Sequence, residues 1–82
     1  MRADFYLYFP SQQRAERAAE TLRSEGYAVV TRLGADETNW LALASLESPR
    51  RLSPGDLDAI EERLFALAGS LGGDYDGFER DV

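Results

Sequence analysis

The chain has 82 residues, of which 44% are hydrophobic and 29% are charged, a balance that excludes a disordered chain and fits a small globular protein. The formal net charge is −6 and every basic residue is arginine, so broad binding to a nucleic-acid backbone, which needs clustered basic side chains, is disfavoured. Without cysteine or histidine, the chain lacks disulfides, thiolate and imidazole metal ligands, and the usual general base. We therefore expect a single domain over residues 1–82 with no catalytic residue, cofactor or metal ion.

The sequence also gives no sign of a membrane protein. Residues Met1–Asp4 carry no signal-peptide h-region, and no apolar run approaches the ~20 residues that a transmembrane helix needs. The acidic charge fits a soluble protein that meets a basic partner, and it fits a charge that serves solubility alone equally well. We therefore expect a cytoplasmic protein without membrane contact.

The segment Asp4–Phe9 is predicted to be the central strand of a sheet. It is too short for a core helix, it is rich in aromatic residues, and Pro10 and Ser11 close it. Alternate residues of a strand point to opposite faces, and this segment is bulky on both, which favours the middle of a sheet over its edge. The two sets are Phe5, Leu7 and Phe9 on one face and Tyr6 and Tyr8 on the other.

Two helices and three more strands are predicted to follow. Ser11 caps a helix that runs to about Glu25, with small alanines on its buried side, and Gly26 ends it. Ser53 caps a second helix, which the glycine pair at 72–73 ends. The remaining predicted elements are a strand at 27–32, a hairpin loop at 33–38, a strand at 39–44, a surface loop at 45–52 and a strand at 74–79.

The order of these elements predicts the fold. Strand–helix–strand–strand–helix–strand is the order of the ferredoxin-like fold, an α+β two-layer sandwich. Right-handed crossovers predict a four-stranded antiparallel sheet in the order 4-1-3-2, with both helices on one face. This order places the segment Asp4–Phe9 in the middle of the sheet, in agreement with its two-sided apolar character.

The charged clusters are expected to be solvated and not to form catalytic or metal sites. In a regular strand, Asp74 and Asp76 share one face while Glu79 and Asp81 share the other, so these oxygen ligands do not converge on a cation. Arg50-Arg51 lies in the predicted surface loop, where solvation is expected in preference to phosphate binding.

The candidate functional surface is aromatic. Leu41 and Leu43 are expected to face the helices, so that the alternate residues of the third strand lie on the helix-free face, where exposed aromatic residues commonly mark a binding site. One aromatic residue of the fourth strand is expected to join them. The predicted surface consists of Tyr6, Tyr8, Trp40, Ala42 and either Phe78 or Tyr75.

Three interpretations of this surface remain open. A protein contact, with a partner or with a second copy in a homodimer, fits because Tyr and Trp commonly anchor interfaces. RNA-binding domains of this fold stack bases on aromatic residues of the same two strands, but the acidic charge disfavours direct nucleic-acid binding here. Alternatively, loops or a terminal segment cover the face, or the tyrosines brace the sheet.

Four segments carry a resemblance to a known family. They are Asp4–Phe9, Gly26–Val29, Asn39–Ala44 and, most specifically, Gly72–Glu79 with its Tyr-Asp-Gly-aromatic motif. Over residues 4–80 the chain resembles the small domain of the regulator of ribonuclease E activity B family. This resemblance implies a ferredoxin-like fold and a non-catalytic protein that binds and inhibits an RNA-degrading endoribonuclease, either ribonuclease E or a related enzyme. The partner-binding residues expected from the aromatic surface and the motif are Tyr6, Tyr8, Trp40, Tyr75, Asp76 and Phe78.

The sequence departs from longer members of that family. Phe78 stands where tryptophan is usual, and neither a helical N-terminal extension nor an acidic C-terminal tail is expected. We therefore expect this chain to share the fold of the family more fully than it shares the family's ribonuclease target.

Overall fold

Strands and helices follow one another in the predicted order, βαββαβ. The computed structural model describes residues 2–48 and 52–80, and the predictions for Arg50-Arg51 and for Asp81 lie outside this part. The elements are β1 Arg2–Phe9, α1 Gln12–Ser24, β2 Ala28–Leu33, β3 Trp40–Glu47, α2 Pro54–Ser70 and β4 Asp74–Arg80.

The sheet has the predicted topology. Its strands are antiparallel and lie in the order β2-β3-β1-β4, which places β1 at the centre. Helix α1 packs mainly over β2 and β3, and α2 packs over β4 and β1. The ferredoxin-like α+β fold is therefore confirmed.

Local sequence signals set the helix ends. Ser11 accepts a hydrogen bond from the backbone N–H of Arg14 at 3.3 Å and caps α1. Ser53 and Asp56 form a reciprocal capping box at the start of α2, with their two bonds at 3.1 and 3.0 Å. Gly26 adopts the left-handed conformation just after α1, with φ at +99°, where a side chain would be strained.

The core lies between the helices and one face of the sheet. Phe5, Leu7 and Phe9 of β1 are fully buried, as predicted, together with alanines of α1. The ring of Phe5 lies 6.1 Å from that of Tyr27 in an edge-to-face arrangement and 5.6 Å from that of Phe78. This core fixes which face of β1 turns away from the helices.

The prediction that Leu41 and Leu43 face the helices is wrong. Ala42 pairs with Leu7, whose side chain is in the core, and directly opposite residues of an antiparallel pair share a face. The physical reason is the close approach of α1, whose buried side is mainly alanine and packs on small residues of β3. The residues of β3 on the helix side are Trp40, Ala42, Ala44 and Leu46.

A β-bulge in β4 overturns a second prediction. Phe5 pairs with Phe78 and Leu7 with Tyr75, so β4 has one more residue than β1 between these pairs. Gly77 lies in the bulge with φ at +97°, a conformation that glycine adopts without strain. Both Tyr75 and Phe78 therefore point to the helix side, although a regular strand would place only one of them there.

The bulge also changes the arrangement of the carboxylates. Glu79 pairs with Asp4 and Asp74 pairs with Tyr8, and both partners lie on the face of β1 that points away from the core. Asp74, Asp76 and Glu79 therefore share one face, whereas a regular strand predicted Glu79 on the opposite side. The bulge adds one residue between Asp76 and Glu79. The alternation of side chains between the two faces of the sheet is therefore shifted by one residue after the bulge.

Candidate functional site

The open face is the side of the sheet that the two helices leave uncovered. It carries the odd-numbered residues of β3 and the even-numbered residues of β1 and β2, as the strand register requires. The residues of the open face are Arg2, Asp4, Tyr6, Tyr8, Ala28, Val30, Arg32, Leu41, Leu43, Ser45, Glu47, Asp74, Asp76 and Glu79.

A tyrosine patch occupies the middle of the open face and consists of Tyr6, Tyr8, Leu41 and Leu43. Tyr6 pairs with Leu43 and Tyr8 with Leu41 across the two central strands. Leu41 is only 4% exposed although no helix covers it, so the neighbouring side chains of this face enclose it. The two tyrosines are half-buried, with part of each side chain accessible to a partner.

The loop between β2 and β3 packs against one end of the tyrosine patch. A Cβ atom at Gly34 would lie 3.5 Å from the ring of Tyr8 and only 2.8 Å from the carbonyl oxygen of Asn39, so a larger residue would disturb this contact. Asp36 holds the loop by accepting bonds from the backbone N–H groups of Thr38 and Asn39 and from the Asn39 side chain, at 2.9 to 3.0 Å. These donors lower the pKa of Asp36. The loop therefore lies beside Tyr8, at one end of the tyrosine patch.

An acidic edge borders the tyrosine patch on the β4 side and consists of Asp74, Asp76 and Glu79. Within residues 2–48 and 52–80, these three carboxylates have neither an ion-pair partner nor a hydrogen-bond donor. Burial, followed by the carboxylates of Glu79 and Asp4, raises the pKa of Tyr6 above its ordinary value of 10.0, at which a phenol is already neutral near pH 7. The patch and its edge thus combine neutral aromatic rings with unpaired negative charge.

Asp4 differs from the acidic edge because its charge is compensated. Ser45 donates a hydrogen bond to Oδ1 of Asp4 at 2.7 Å, and Nε of Arg2 lies 3.0 Å from the same oxygen. The Ser45 hydroxyl, and after it Arg2, lowers the pKa of the Asp4 carboxyl. Among the carboxylates that border the tyrosine patch, those without a partner in the described part of the chain are therefore the ones on β4.

Two shallow hollows lie where the tyrosine patch meets the acidic edge. One, of about 270 Å³, is lined by Tyr6, Tyr8, Asp76, Phe78 and Glu79. The other, of about 350 Å³, is lined by Tyr8, Ala35, Asp36, Asn39, Asp74 and Asp76. Enclosed pockets for small molecules usually have ~300–1,000 Å³ and bury most of the ligand. These open hollows, one just below and one just above the lower end of that range, suit side chains of a protein partner better.

The described residues offer no grouping for metal chemistry. No three acidic, histidine or cysteine side chains within residues 2–48 and 52–80 lie together as a metal site would require. In the same part of the chain, neither helix is long and apolar enough to cross a membrane.

Comparison with protein families supplies the family of the chain. The family described as Regulator of ribonuclease activity B (RraB) matches residues 1–79, which is nearly the whole chain. The protein is a member of the RraB family. Comparisons with curated proteins and with solved structures gave no match.

The RraB assignment confirms the resemblance found in the sequence, and the structure gives a physical role to the motif that carried it. Residues Tyr75–Phe78 form the bulge of β4, which turns two aromatic side chains into the core. The phenol oxygen of Tyr75 donates to Oε2 of Glu61 in α2 at 2.8 Å, and Phe78 packs on Phe5. The aromatic residues of the motif thus anchor β4, while the acidic residue between them remains on the open face.

The predicted partner-binding residues fall into two groups. Tyr6, Tyr8 and Asp76 lie together on the open face, so the structure leaves them available for a partner. Trp40, Tyr75 and Phe78 pack toward the helix side, and their predicted place on the open face is wrong, although Phe78 also borders the smaller hollow. Sequence reasoning missed four residues of the tyrosine patch and the acidic edge, namely Leu41, Leu43, Asp74 and Glu79.

Proposed function

We propose that this RraB-family protein is a non-catalytic regulator that binds an endoribonuclease of the ribonuclease E type through its open face and lowers the rate of RNA cleavage. The observation that carries the proposal is the family match over residues 1–79, because that family regulates ribonuclease activity. The proposal goes beyond this family assignment in two respects: it names ribonuclease E as the target and inhibition as the effect. Because such an enzyme works in the cytoplasm, we expect the protein to act there.

The proposed mode of action is occlusion. The tyrosine patch supplies half-buried aromatic and apolar surface, which commonly forms the centre of a protein interface. The acidic edge beside it favours a basic surface, and surfaces that bind RNA are basic. A regulator that covers such a surface lowers the rate of RNA entry without performing chemistry of its own.

The two edges of the sheet are less suitable for strand addition than the open face. At β2, the guanidinium of Arg23 donates to the carbonyl oxygen of Val29 at 2.8 Å. At β4, the bulge at Gly77 and the charged side chains interrupt a regular edge. Bulges, charges and covered backbone groups are devices that protect sheet edges from pairing. Because both sheet edges are protected in this way, we propose the open face, and not an edge, as the contact surface.

The test measures ribonuclease E cleavage of a short labelled RNA in the presence of increasing amounts of the purified protein. We expect the cleavage rate to fall, and the protein to co-sediment with the enzyme. The double variant Tyr6→Ser with Tyr8→Ser should lose most of both effects, because it removes the two large rings of the patch.

Phe65→Ser is the matched control for that double variant. Phe65 is 70% exposed and belongs to α2, on the helix layer, so its loss removes an exposed ring away from the open face. It should inhibit as the unaltered protein does. Unchanged cleavage with no co-sedimentation would refute the inhibitor proposal.

The alternative of RNA binding on the same face has weaker support. Its aromatic residues come from β1 alone, since the corresponding positions of β3 are Leu41 and Leu43. The unpaired carboxylates of the acidic edge repel phosphate groups. The same sedimentation experiment with the short RNA and no enzyme distinguishes this alternative, because RNA binding predicts a complex without the enzyme.

A further inference from the structure

The chemistry of the open face specifies what kind of partner segment it would hold. We propose that the hollows between the tyrosine patch and the acidic edge bind arginine side chains of an extended segment in the partner protein. This inference rests on the proposed function, because it names the part of the partner that the open face would engage. Three observations carry it: the unpaired carboxylates, the neighbouring phenol rings and the pair of adjacent hollows.

The carboxylates supply charge that the described chain does not neutralise. Asp74 and Asp76 are two residues apart on one side of β4, about 6.6 Å along the strand, and Glu79 follows beyond the bulge. The described part of the chain provides no arginine within ion-pair distance of any of them. Like charges at this spacing repel one another, and a partner with two cations at strand spacing would remove that repulsion.

The phenol rings distinguish arginine from lysine. Tyr6 lines the smaller hollow and Tyr8 lines both, in each case with Asp76, and neither hydroxyl has a hydrogen-bond partner in residues 2–48 and 52–80. A guanidinium can stack on an aromatic ring while its N–H groups donate to a carboxylate in a bidentate manner. An ammonium group also interacts with a ring face and a carboxylate, but it is a compact, strongly hydrated charge without a planar fork, so it neither stacks nor binds in a bidentate manner. This combination of ring and carboxylate therefore favours arginine.

The two hollows are adjacent and share two lining residues. Tyr8 and Asp76 line both, with Tyr6 and Glu79 at one end and Asn39 and Asp74 at the other. Two arginines on the same side of an extended segment are separated by about 6.6 Å, which is one strand repeat. We therefore expect a segment in which arginine occurs at alternate positions to bind more tightly than one with a single arginine.

Two other occupants fit the charge less well. In a symmetric dimer both copies present the same surface, so a dimer through this part of the open face would place one acidic edge close to the other. An RNA strand would bring phosphate groups to the same carboxylates. A basic protein segment brings no such repulsion.

The experiment uses a short fluorescein-labelled peptide in which Arg alternates with Ser, and a matched peptide with Lys at each Arg position. Fluorescence anisotropy is followed during titration with the full chain at low and at moderate salt. We expect the Arg peptide to bind about two- to fivefold more tightly than the Lys peptide, as stacking on an exposed ring implies. Binding should weaken as the salt concentration rises.

The decisive variant replaces the acidic edge by isosteric amides: Asp74→Asn, Asp76→Asn and Glu79→Gln. It should weaken binding of the Arg peptide by about tenfold, because each partly exposed charge pair contributes modestly. The control variant makes the same change in net charge on the helix layer, through Glu20→Gln, Asp58→Asn and Glu62→Gln, at three exposed positions. The control should bind as the unaltered protein does.

A second variant tests the rings separately from the charges. Tyr6→Leu keeps the apolar bulk and removes the ring, so it should reduce the preference for the Arg peptide over the Lys peptide. Circular dichroism of each variant confirms that the fold is retained before its binding is interpreted.

Each outcome decides the inference. The inference would be overturned if the acidic-edge variant and its control weakened binding of the Arg peptide equally. It would also be overturned if single-stranded RNA displaced the Arg peptide from this surface, or if the protein self-associated and Tyr6→Leu abolished that self-association. If ribonuclease E is inhibited but the Arg peptide does not bind, this inference fails and the proposed function stands. If the Arg peptide binds through the acidic edge but ribonuclease E is unaffected, this inference stands and the proposed target is wrong.

Discussion

The phenol oxygen of Tyr75 lies 2.8 Å from Oε2 of Glu61 and donates a hydrogen bond to it, which joins β4 to α2. Burial raises the pKa of Tyr75, and the bond to the Glu61 carboxylate raises it further. This contact exists because the bulge at Gly77 turns Tyr75 and Phe78 toward the same side of the sheet. The most specific motif of the sequence therefore stabilises the acidic strand whose other face we propose as a binding surface.

Removing this hydrogen bond should lower stability at neutral pH. We expect Tyr75→Phe to reduce the free energy of unfolding by about 1 kcal/mol, the usual net contribution of one hydrogen bond. Urea unfolding followed by circular dichroism measures the change. Tyr8→Phe is the matched control, because the Tyr8 hydroxyl has no hydrogen-bond partner in the described part of the chain. Equal losses in the two variants would contradict the assigned role of Tyr75.

The same tyrosine should influence stability at alkaline pH. The folded state raises the pKa of Tyr75 above its ordinary value of 10.0, so the stabilisation is fully present below that pH and is lost as pH rises through the higher folded value. Above pH 10 the unfolded chain releases this proton more readily than the folded chain does. Urea midpoints measured across this range should fall less steeply for Tyr75→Phe than for the unaltered protein. The urea midpoint of Tyr75→Phe should still fall somewhat as pH rises, because burial also raises the pKa of Tyr27.

The element order and the strand order could be predicted because they depend on local signals. Ser11 and Ser53 mark the helix starts, and Gly26 marks a helix end. The segment Asp4–Phe9 is bulky on both sides, which identifies it as the central strand and places Tyr6 and Tyr8 away from the core. These signals lie within a few residues of the feature that they predict.

The orientation of β3 could not be obtained from side-chain size. Leucine is more hydrophobic than alanine, yet Leu43 faces outward because α1 packs closely on small residues. A signal was present further along the strand: β3 continues to Glu47, and the outward positions then include Ser45 and Glu47, whereas the inward set is entirely apolar. The predicted end of the strand at residue 44 left those polar positions out.

The bulge in β4 is a tertiary feature. Tyr75 and Phe78 are three residues apart, so regular alternation predicts that they point to opposite faces. Gly77 between them permits the extra residue, but the sequence alone also fits a weakened strand. The packing of Phe78 on Phe5 and the bond from Tyr75 to α2 stabilise the irregular form.

The two faces of β3 should respond differently to a change in size. Ala42 is fully buried beneath the helices, so Ala42→Leu should overpack the core and lower the free energy of unfolding by about 1–3 kcal/mol. Leu43 is only partly buried on the open face, so Leu43→Ala should cost about 1 kcal/mol or less. Urea unfolding of the two variants compares them directly. If Ala42→Leu is neutral while Leu43→Ala is severe, the strand has the opposite orientation.

Glycine substitutions should have opposite effects at two positions. Gly77→Ala places a side chain where φ is +97°, so it should destabilise the protein by about 1–2 kcal/mol. Gly69→Ala lies near the end of α2 with no heavy atom within 4 Å of the new Cβ, so it should stabilise the protein by up to about 1 kcal/mol. Thermal unfolding by circular dichroism gives the sign of each change. A stabilising Gly77→Ala would show that the bulge does not require glycine.

The hydrogen bonds of Asp36 should govern the acid response of the loop beside Tyr8. Two backbone N–H groups and the Asn39 side chain lower the pKa of Asp36 below its ordinary value of 3.8. The stabilisation is therefore present above that pH and is lost as pH falls through the lower folded value, because protonation removes the charge that accepts these bonds.

Replacing Asn39 by alanine removes only the side-chain donor, which lies 2.9 Å from Oδ2 of Asp36. The pKa of Asp36, measured by NMR titration of its carboxyl carbon, should rise toward 3.8 yet remain below it, because the backbone donors are the larger causes of the shift. Asp36→Ala removes the acceptor, so amide hydrogen exchange should accelerate at Thr38 and Asn39. Asp58→Ala, an exposed carboxylate of α2, should leave both rates unchanged. If exchange at Thr38 and Asn39 is unchanged in Asp36→Ala, the loop is held by its backbone alone.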